Sequence, residues 1–230
     1  MNIINPQSLS ITLDNINEIY FYGKKISSSD KEKAAKWIAS RQGLHGSYWG
    51  MFAPTDFDYK NGHILFTGEK ITSGAGISHF SGEEACRALA LLNGKHKSIT
   101  EALDKAQAGL STAIKTARER GVNTPDGYYC CAKCSVSYWR NLSAQCNADA
   151  NKLLMNGMKI LNKMRDGKGK WKRFPFYYTL FALQEIDLKP AREEMKYAAP
   201  VLEKYLQRAP SDDKYNERKR MLAEKVLEKV

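Results

Sequence analysis

Apolar positions along the chain recur at three- and four-residue spacing over long stretches, the period of helices with one buried face. Ser28-Ser29-Asp30 supplies cap residues for a helix from about Lys31 to Gln42, with Ala34, Ala35 and Ile38 on one side. Ser81 followed by Glu84 has capping-box spacing and predicts a second helix that ends at Asn93-Gly94. A third runs from Thr100 to Arg120-Gly121, and further helices are predicted over roughly 133–145, 149–165, 175–186, 190–207 and 213–228. Pro175 and Pro190 fall in first turns, where the missing N–H removes no helical hydrogen bond. The expected class is all-α.

Two stretches break the pattern. In residues 1–27 the pieces Ser10-Ile11-Thr12-Leu13 and Ile19-Tyr20-Phe21-Tyr22 look extended and predict an N-terminal arm. Residues 50–78 are rich in Gly, Thr and aromatics and read as an inserted loop or β-hairpin, with His63 to Thr72 turning near Gly68-Glu69. The expected organisation is an arm over 1–27, a helical repeat domain over 28–210 carrying the insertion 50–78, and an amphipathic C-terminal helix over 211–230.

Three segments share one plan of helix, Gly-x-aromatic turn and second helix. They are Ala35 to Gln42 with Gly46-Ser47-Tyr48, Ala113 to Arg118 with Gly127-Tyr128-Tyr129, and Met158 to Lys163 with Gly169-Lys170-Trp171. Trp37-Ile38-Ala39-Ser40-Arg41-Gln42 with Gly46-Ser47-Tyr48, and Gly169-Lys170-Trp171 with Phe174-Pro175-Phe176-Tyr177-Tyr178, resemble the repeat of the prenyltransferase and squalene-cyclase superfamily. That resemblance implies an α/α-toroid-like array of helical hairpins around an aromatic-lined cavity. The array is incomplete here, because three or four hairpins are fewer than a full toroid holds. The cyclases' Asp-rich motif is not matched, since Asp56-Phe57-Asp58 lacks the rest of it, and the protein prenyltransferases' zinc set does not map onto this chain.

Composition changes the picture in one respect. With 43% hydrophobic and 27% charged residues the chain reads as a folded globular protein rather than a disordered or fibrous one. No apolar run approaches the ~18 residues of a membrane span, and Met1 to Asn15 carries no basic flank followed by an apolar run, so a cytoplasmic location is expected. The net charge of +11 favours anionic partners. It concentrates in residues 151–175, with eight basic side chains against one acid, and above all in the turn 163–173.

Candidate chemistry gathers at Cys130-Cys131-Ala132-Lys133-Cys134. Cys131 and Cys134 form a C-x-x-C pair at a predicted helix start, where the dipole and Lys133 favour a thiolate. Three uses fit: buried free cysteines that pack as small hydrophobes, a tetrahedral zinc site using Cys130, Cys131 and Cys134 with Cys146, Cys86 or a histidine, and redox or nucleophilic chemistry at Cys131 and Cys134. His79 and Glu83, four residues apart on one helix, are acid–base candidates. The aromatics Trp49, Tyr138, Trp139, Tyr177 and Tyr178, with Arg140 beside them, either pack as core or line a ligand pocket, and they are the ligand-binding candidates. Lys168, Lys170, Lys172 and Arg173 either form a solvated turn or bind phosphate groups, and they are the anion-binding candidates.

Two functions follow as expectations. The first is a toroid-type protein holding a small apolar or phosphorylated ligand, with the cysteine cluster, as thiols or zinc, at the cavity mouth. The second is a non-enzymatic interaction module docking an acidic protein or nucleic acid through the basic turn 163–173. A homodimer that closes the ring fits either.

Overall fold

A computed structural model describes residues 2–122, 124–145, 148–208 and 213–230. Among them lie ten α-helices, one 3₁₀ turn and a two-stranded hairpin, so the protein is mostly helical, as the periodicity predicts. No helix is long and apolar enough to cross a membrane among the described residues. The contacts divide the chain into two compact units, 1–65 with 70–124, and 66–69 with 125–230.

The first unit is built around α4 (Gly74–Leu92), against which α1 (Leu9–Phe21), α2 (Ser28–Ala39), α3 (Asp56–Asn61) and α5 (Lys97–Glu119) all pack. The N-terminal segment is not the extended arm expected. It forms α1, capped by Ser8, whose Oγ accepts the Ile11 N–H at 3.0 Å. The β-branched residues suggested strands, but Leu9, Leu13, Ile16 and Ile19 follow the helical period and are all buried, and burial outweighs propensity. Helix α4 also starts earlier than its sequence suggests. Ser73 is the N-cap, with its Oγ accepting from Gly76 N, so Ser81 is interior and buried rather than a cap.

In the 50–78 insertion, β1 (His63–Ile64) and β2 (Lys70–Ile71) pair antiparallel, His63 opposite Ile71, which is the hairpin read from the sequence. The insertion also carries α3, whose Asp58 fixes the start of α1. Its carboxylate accepts from Ser8 Oγ at 2.5 Å, Ser10 Oγ at 2.8 Å and Leu9 N at 3.0 Å, and from Thr55 N at 2.9 Å. Burial pushes the Asp58 pKa up, but the bonds from Ser8, Thr55 and Ser10 outweigh it and hold the carboxyl below its usual value.

In the second unit α6 (Ala132–Gln145) packs on α7 (Ala148–Lys163) and α8 (Phe176–Leu183). Helix α9 (Lys189–Leu206) touches α7, α8 and α10 (Lys214–Leu227). Helix α8 is short and almost wholly apolar, so Tyr178 to Leu183 are all buried. The Phe181 ring stacks on Phe66 at 4.6 Å, and the buried Arg218 guanidinium lies 4.1 Å from the Phe66 ring centre and donates to its carbonyl.

Candidate functional site

The cysteine cluster stands where the loop 125–131 enters α6. Ser135, fully buried one turn into the helix, pins that loop: its Oγ accepts the Tyr129 N–H at 3.0 Å and lies 3.0 and 2.8 Å from the Tyr129 and Cys131 carbonyls. From the other side Trp139 Nε1 donates to the Gly127 carbonyl at 2.7 Å. Gly127 has φ +81, and a Cβ there would come within 2.3 Å of the Leu153 carbonyl oxygen, so neither the turn nor its approach to α7 tolerates a side chain.

Cys130 follows in the left-handed region at φ 53, a conformation that costs a non-glycine residue about 1–3 kcal/mol and that the surrounding bonds must hold. Cys131 directly precedes α6, and its Sγ lies 3.5 Å from the backbone N of Cys134, the position of a capping acceptor. The Cys130 and Cys134 sulfurs lie within 4.8 Å of one another. Cys130 and Cys131 are exposed, while Cys134 is buried. Hydrogen bonds from the Cys130 and Cys134 thiols, joined by the backbone N–H groups of Cys134 and Lys133, outweigh burial and hold the Cys131 pKa far below that of an ordinary thiol. The arrangement is an exposed sulfur at a helix N-terminus with a buried thiol one turn further in. Tyr128 stands nearby: burial raises its pKa, the three cysteines add to the shift and Arg173 opposes it.

The remaining candidates separate by environment. Cys86 is fully buried, and desolvation followed by the charge of Glu83 pushes its thiol far up, so it packs as a protonated small hydrophobe. Cys146 lies outside the described residues. His79 and Glu83 are buried within α4, inside the helix rather than at its start, and the His79 ring packs 3.9 Å from that of Tyr48. Trp49 lies in the 3₁₀ turn Tyr48–Gly50 at φ 49, partly exposed, with its carbonyl against Gly109 of α5.

Tyr138, Trp139 and Arg140 are core side chains. The Trp139 ring stacks on Phe174 at 5.5 Å. Arg140 makes a two-point pair with Glu185, Nε to Oε2 at 2.9 Å and Nη2 to Oε1 at 3.0 Å, and packs 4.0 Å from the Phe181 ring. Tyr178 is buried beside Arg140, whereas Tyr177 is half-buried.

Within the basic turn, Asp166 organises the backbone. Asp166 Oδ1 accepts from Lys168 N at 2.7 Å, Lys170 N at 3.0 Å and Tyr197 Oη at 3.0 Å, while Asp166 N donates to the Lys170 carbonyl. Gly169, at φ +85, lies so close to α9 that an added Cβ would sit 2.5 Å from Val201 Cγ2. Beneath it Glu194 accepts from Trp171 Nε1 at 2.8 Å, Asn162 Nδ2 at 2.9 Å and Arg165 through Nε and Nη2, both at 3.0 Å. Trp171 therefore serves the fold. Lys168 and Lys170 line a groove of 420 Å³ along α9, together with Tyr177. Lys172 and Arg173 are exposed outside that lining.

Sequence reasoning missed Ser135, Asp166 and Glu194, which position the candidates. The lone acid within the basic turn was the available signal for Asp166. No family model, curated protein or solved structure matches the chain.

Proposed function

We propose that the second unit carries a dithiol centre for thiol–disulfide exchange, with Cys131 as attacking thiolate and Cys134 as resolving thiol. The observation that carries the reading is the placement of Cys131 as the cap of α6, exposed, with Cys134 N–H on its sulfur and the Cys134 side chain buried one turn inward. The Cys131 thiolate attacks a disulfide R–S–S–R′, forming a Cys131–S–S–R bond and releasing R′S⁻. The Cys134 thiol then gives up its proton, attacks the Cys131 sulfur and releases RS⁻. The substrate disulfide gains two electrons and the Cys131–Cys134 pair loses two. A dithiol reductant returns the pair to its starting state. Cys130 donates to the waiting thiolate and lowers its basicity in the resting state.

The α/α-toroid architecture of the prenyltransferase superfamily belongs to the proposal too, supported by the succession of α7, a turn through Gly169 and α8.

The test is peptide mapping after treatment with oxidised glutathione, beside metal analysis of protein purified without chelator. A Cys131–Cys134 disulfide in the wild type, and a trapped glutathione adduct on Cys131 in Cys134→Ser, is the expected result. Stoichiometric zinc that disappears in both Cys131→Ser and Cys134→Ser would replace exchange by metal binding, because three gathered sulfurs also suit zinc.

A further inference from the structure

The groove beside α9 has the composition of a site for a phosphorylated aromatic molecule, and its observations are independent of the cysteine cluster. Four cations line it, Lys168 and Lys170 from the basic turn and Lys204 and Arg208 from the end of α9. Among the described residues no carboxylate lines the groove, and none of the four side-chain cations is engaged in an ion pair. Lys204 and Arg208 have a simpler task at a helix C-terminus, where positive charge complements the dipole. Lys168 and Lys170 do not: they are brought to the same groove from a separate turn, whose backbone is fixed by Asp166 and by the contact of Gly169 with Val201.

The second component is aromatic. Phe176, Tyr177 and Tyr205 line the same groove. Tyr177 and Tyr205 lie with ring centres 5.4 Å apart, and Lys170 Nζ is 5.3 Å from the Phe176 ring centre. Burial, the neighbouring Tyr205 and Glu69 push the Tyr177 hydroxyl up to about 12 against the opposing charge of Arg208. Burial also raises Tyr205 against Arg220 and Arg208. Both phenols stay neutral near pH 7 and add no negative charge of their own to the groove. Helix α8 begins at Phe176, and its N-cap Pro175 offers no side-chain acceptor, so the positive end of that helix adds to the field at the aromatic edge.

We infer that this groove binds a nucleoside mono- or diphosphate, with the phosphates among Lys168, Lys170, Lys204 and Arg208 and the base against Phe176, Tyr177 and Tyr205. Its 420 Å³ falls in the usual range for small-molecule sites, about 300–1,000 Å³. Cations supply charge-assisted bonds to phosphate, and the rings supply stacking surface that any base can use.

The experiment is calorimetric titration of the full chain at fixed low salt with ADP, GDP, adenosine, ribose 5-phosphate and a single-stranded oligonucleotide. A nucleotide is expected to bind at least about tenfold more tightly than adenosine or ribose 5-phosphate, since each lacks one component. Lys170→Glu/Lys204→Glu, both at exposed positions, should weaken nucleotide binding by about tenfold or more with circular dichroism unchanged. Equal binding of nucleotide and adenosine, or an unchanged affinity in the double variant, would overturn the assignment. An oligonucleotide that binds while every free nucleotide fails would overturn it in favour of a nucleic-acid surface. Retention of nucleotide binding in Cys131→Ser separates this result from the fate of the dithiol.

Discussion

Removing Glu194 tests how the basic turn is held. The residue is only 2% exposed, and its two oxygens accept four hydrogen bonds, from Trp171, Asn162 and, twice, Arg165. Glu194→Ala strands the buried Trp171 N–H, which costs about 1–3 kcal/mol. It also breaks a pair whose fully buried equivalents cost about 3–5 kcal/mol to disrupt. The Arg165 side chain is 31% exposed, so water takes over part of its solvation and the pair loss sits at or below the bottom of that range. The expected destabilisation is about 2–4 kcal/mol for Glu194→Ala, and about 1–2 kcal/mol for Glu194→Gln, which keeps a carbonyl acceptor.

The assay is urea unfolding followed by far-ultraviolet circular dichroism and tryptophan fluorescence. The two compact units require each transition to be fitted separately. A double-mutant cycle with Trp171→Phe should give a coupling of about 1 kcal/mol or more, because the two residues share one buried bond. A Glu194→Ala protein within about 0.5 kcal/mol of wild type, or a coupling near zero, would refute the claim that this carboxylate anchors the turn.

Other outcomes follow from the same geometry. Gly157→Ala should destabilise the second unit despite alanine's better helix propensity, because the new Cβ would sit 2.4 Å from Trp139 Nε1; thermal unfolding of the variant checks it. For Asp58 the folded pKa lies below the unfolded value of about 3.9, so its stabilisation is present above that pH and is lost as pH falls through the lower folded pKa; Asp58→Asn should flatten this part of the acid-unfolding curve of the first unit. Cys131 obeys the same sign rule. Its contribution is complete above the unfolded thiol pKa of about 8.5 and declines as pH falls toward the depressed folded value, so wild type minus Cys131→Ser stability should rise with pH up to that point. Its alkylation rate should already be level with pH at neutrality, whereas an ordinary thiol still gains about tenfold per pH unit there.

Much of the helical framework is legible in the apolar period, because 3.6-residue spacing and caps are local signals. The two departures have definite causes. Over 9–21 the β-branched residues outweighed a period that was present, and at 74–76 glycines disguised a helix start capped by Ser73. The cysteine cluster was visible as a motif, but its three uses could be ranked only once Cys131 stood as the cap of α6 with Cys134 buried behind it. Trp139 and Arg140 show the opposite limit. An aromatic beside an arginine allows either core packing or a ligand wall, and only the contacts with Gly127, Phe174 and Glu185 show that both belong to the core. Of the groove, Lys168, Lys170 and Tyr177 were legible as separate candidates, but their meeting with Lys204 was not, because Lys168 and Lys204 lie far apart in sequence and come together only through the packing of the turn on α9.

The central claim is that Cys131 and Cys134 work as an exchanging pair. The most direct measurement is mass spectrometric peptide mapping of full-length protein after a short exposure to a small aromatic disulfide, with released thiol counted in parallel. The account predicts two equivalents of thiol released for each Cys131–Cys134 disulfide formed, and a single adduct on Cys131 when Cys134 is serine. Adducts spread over several cysteines with no intramolecular disulfide, or an unreactive Cys131, would contradict it.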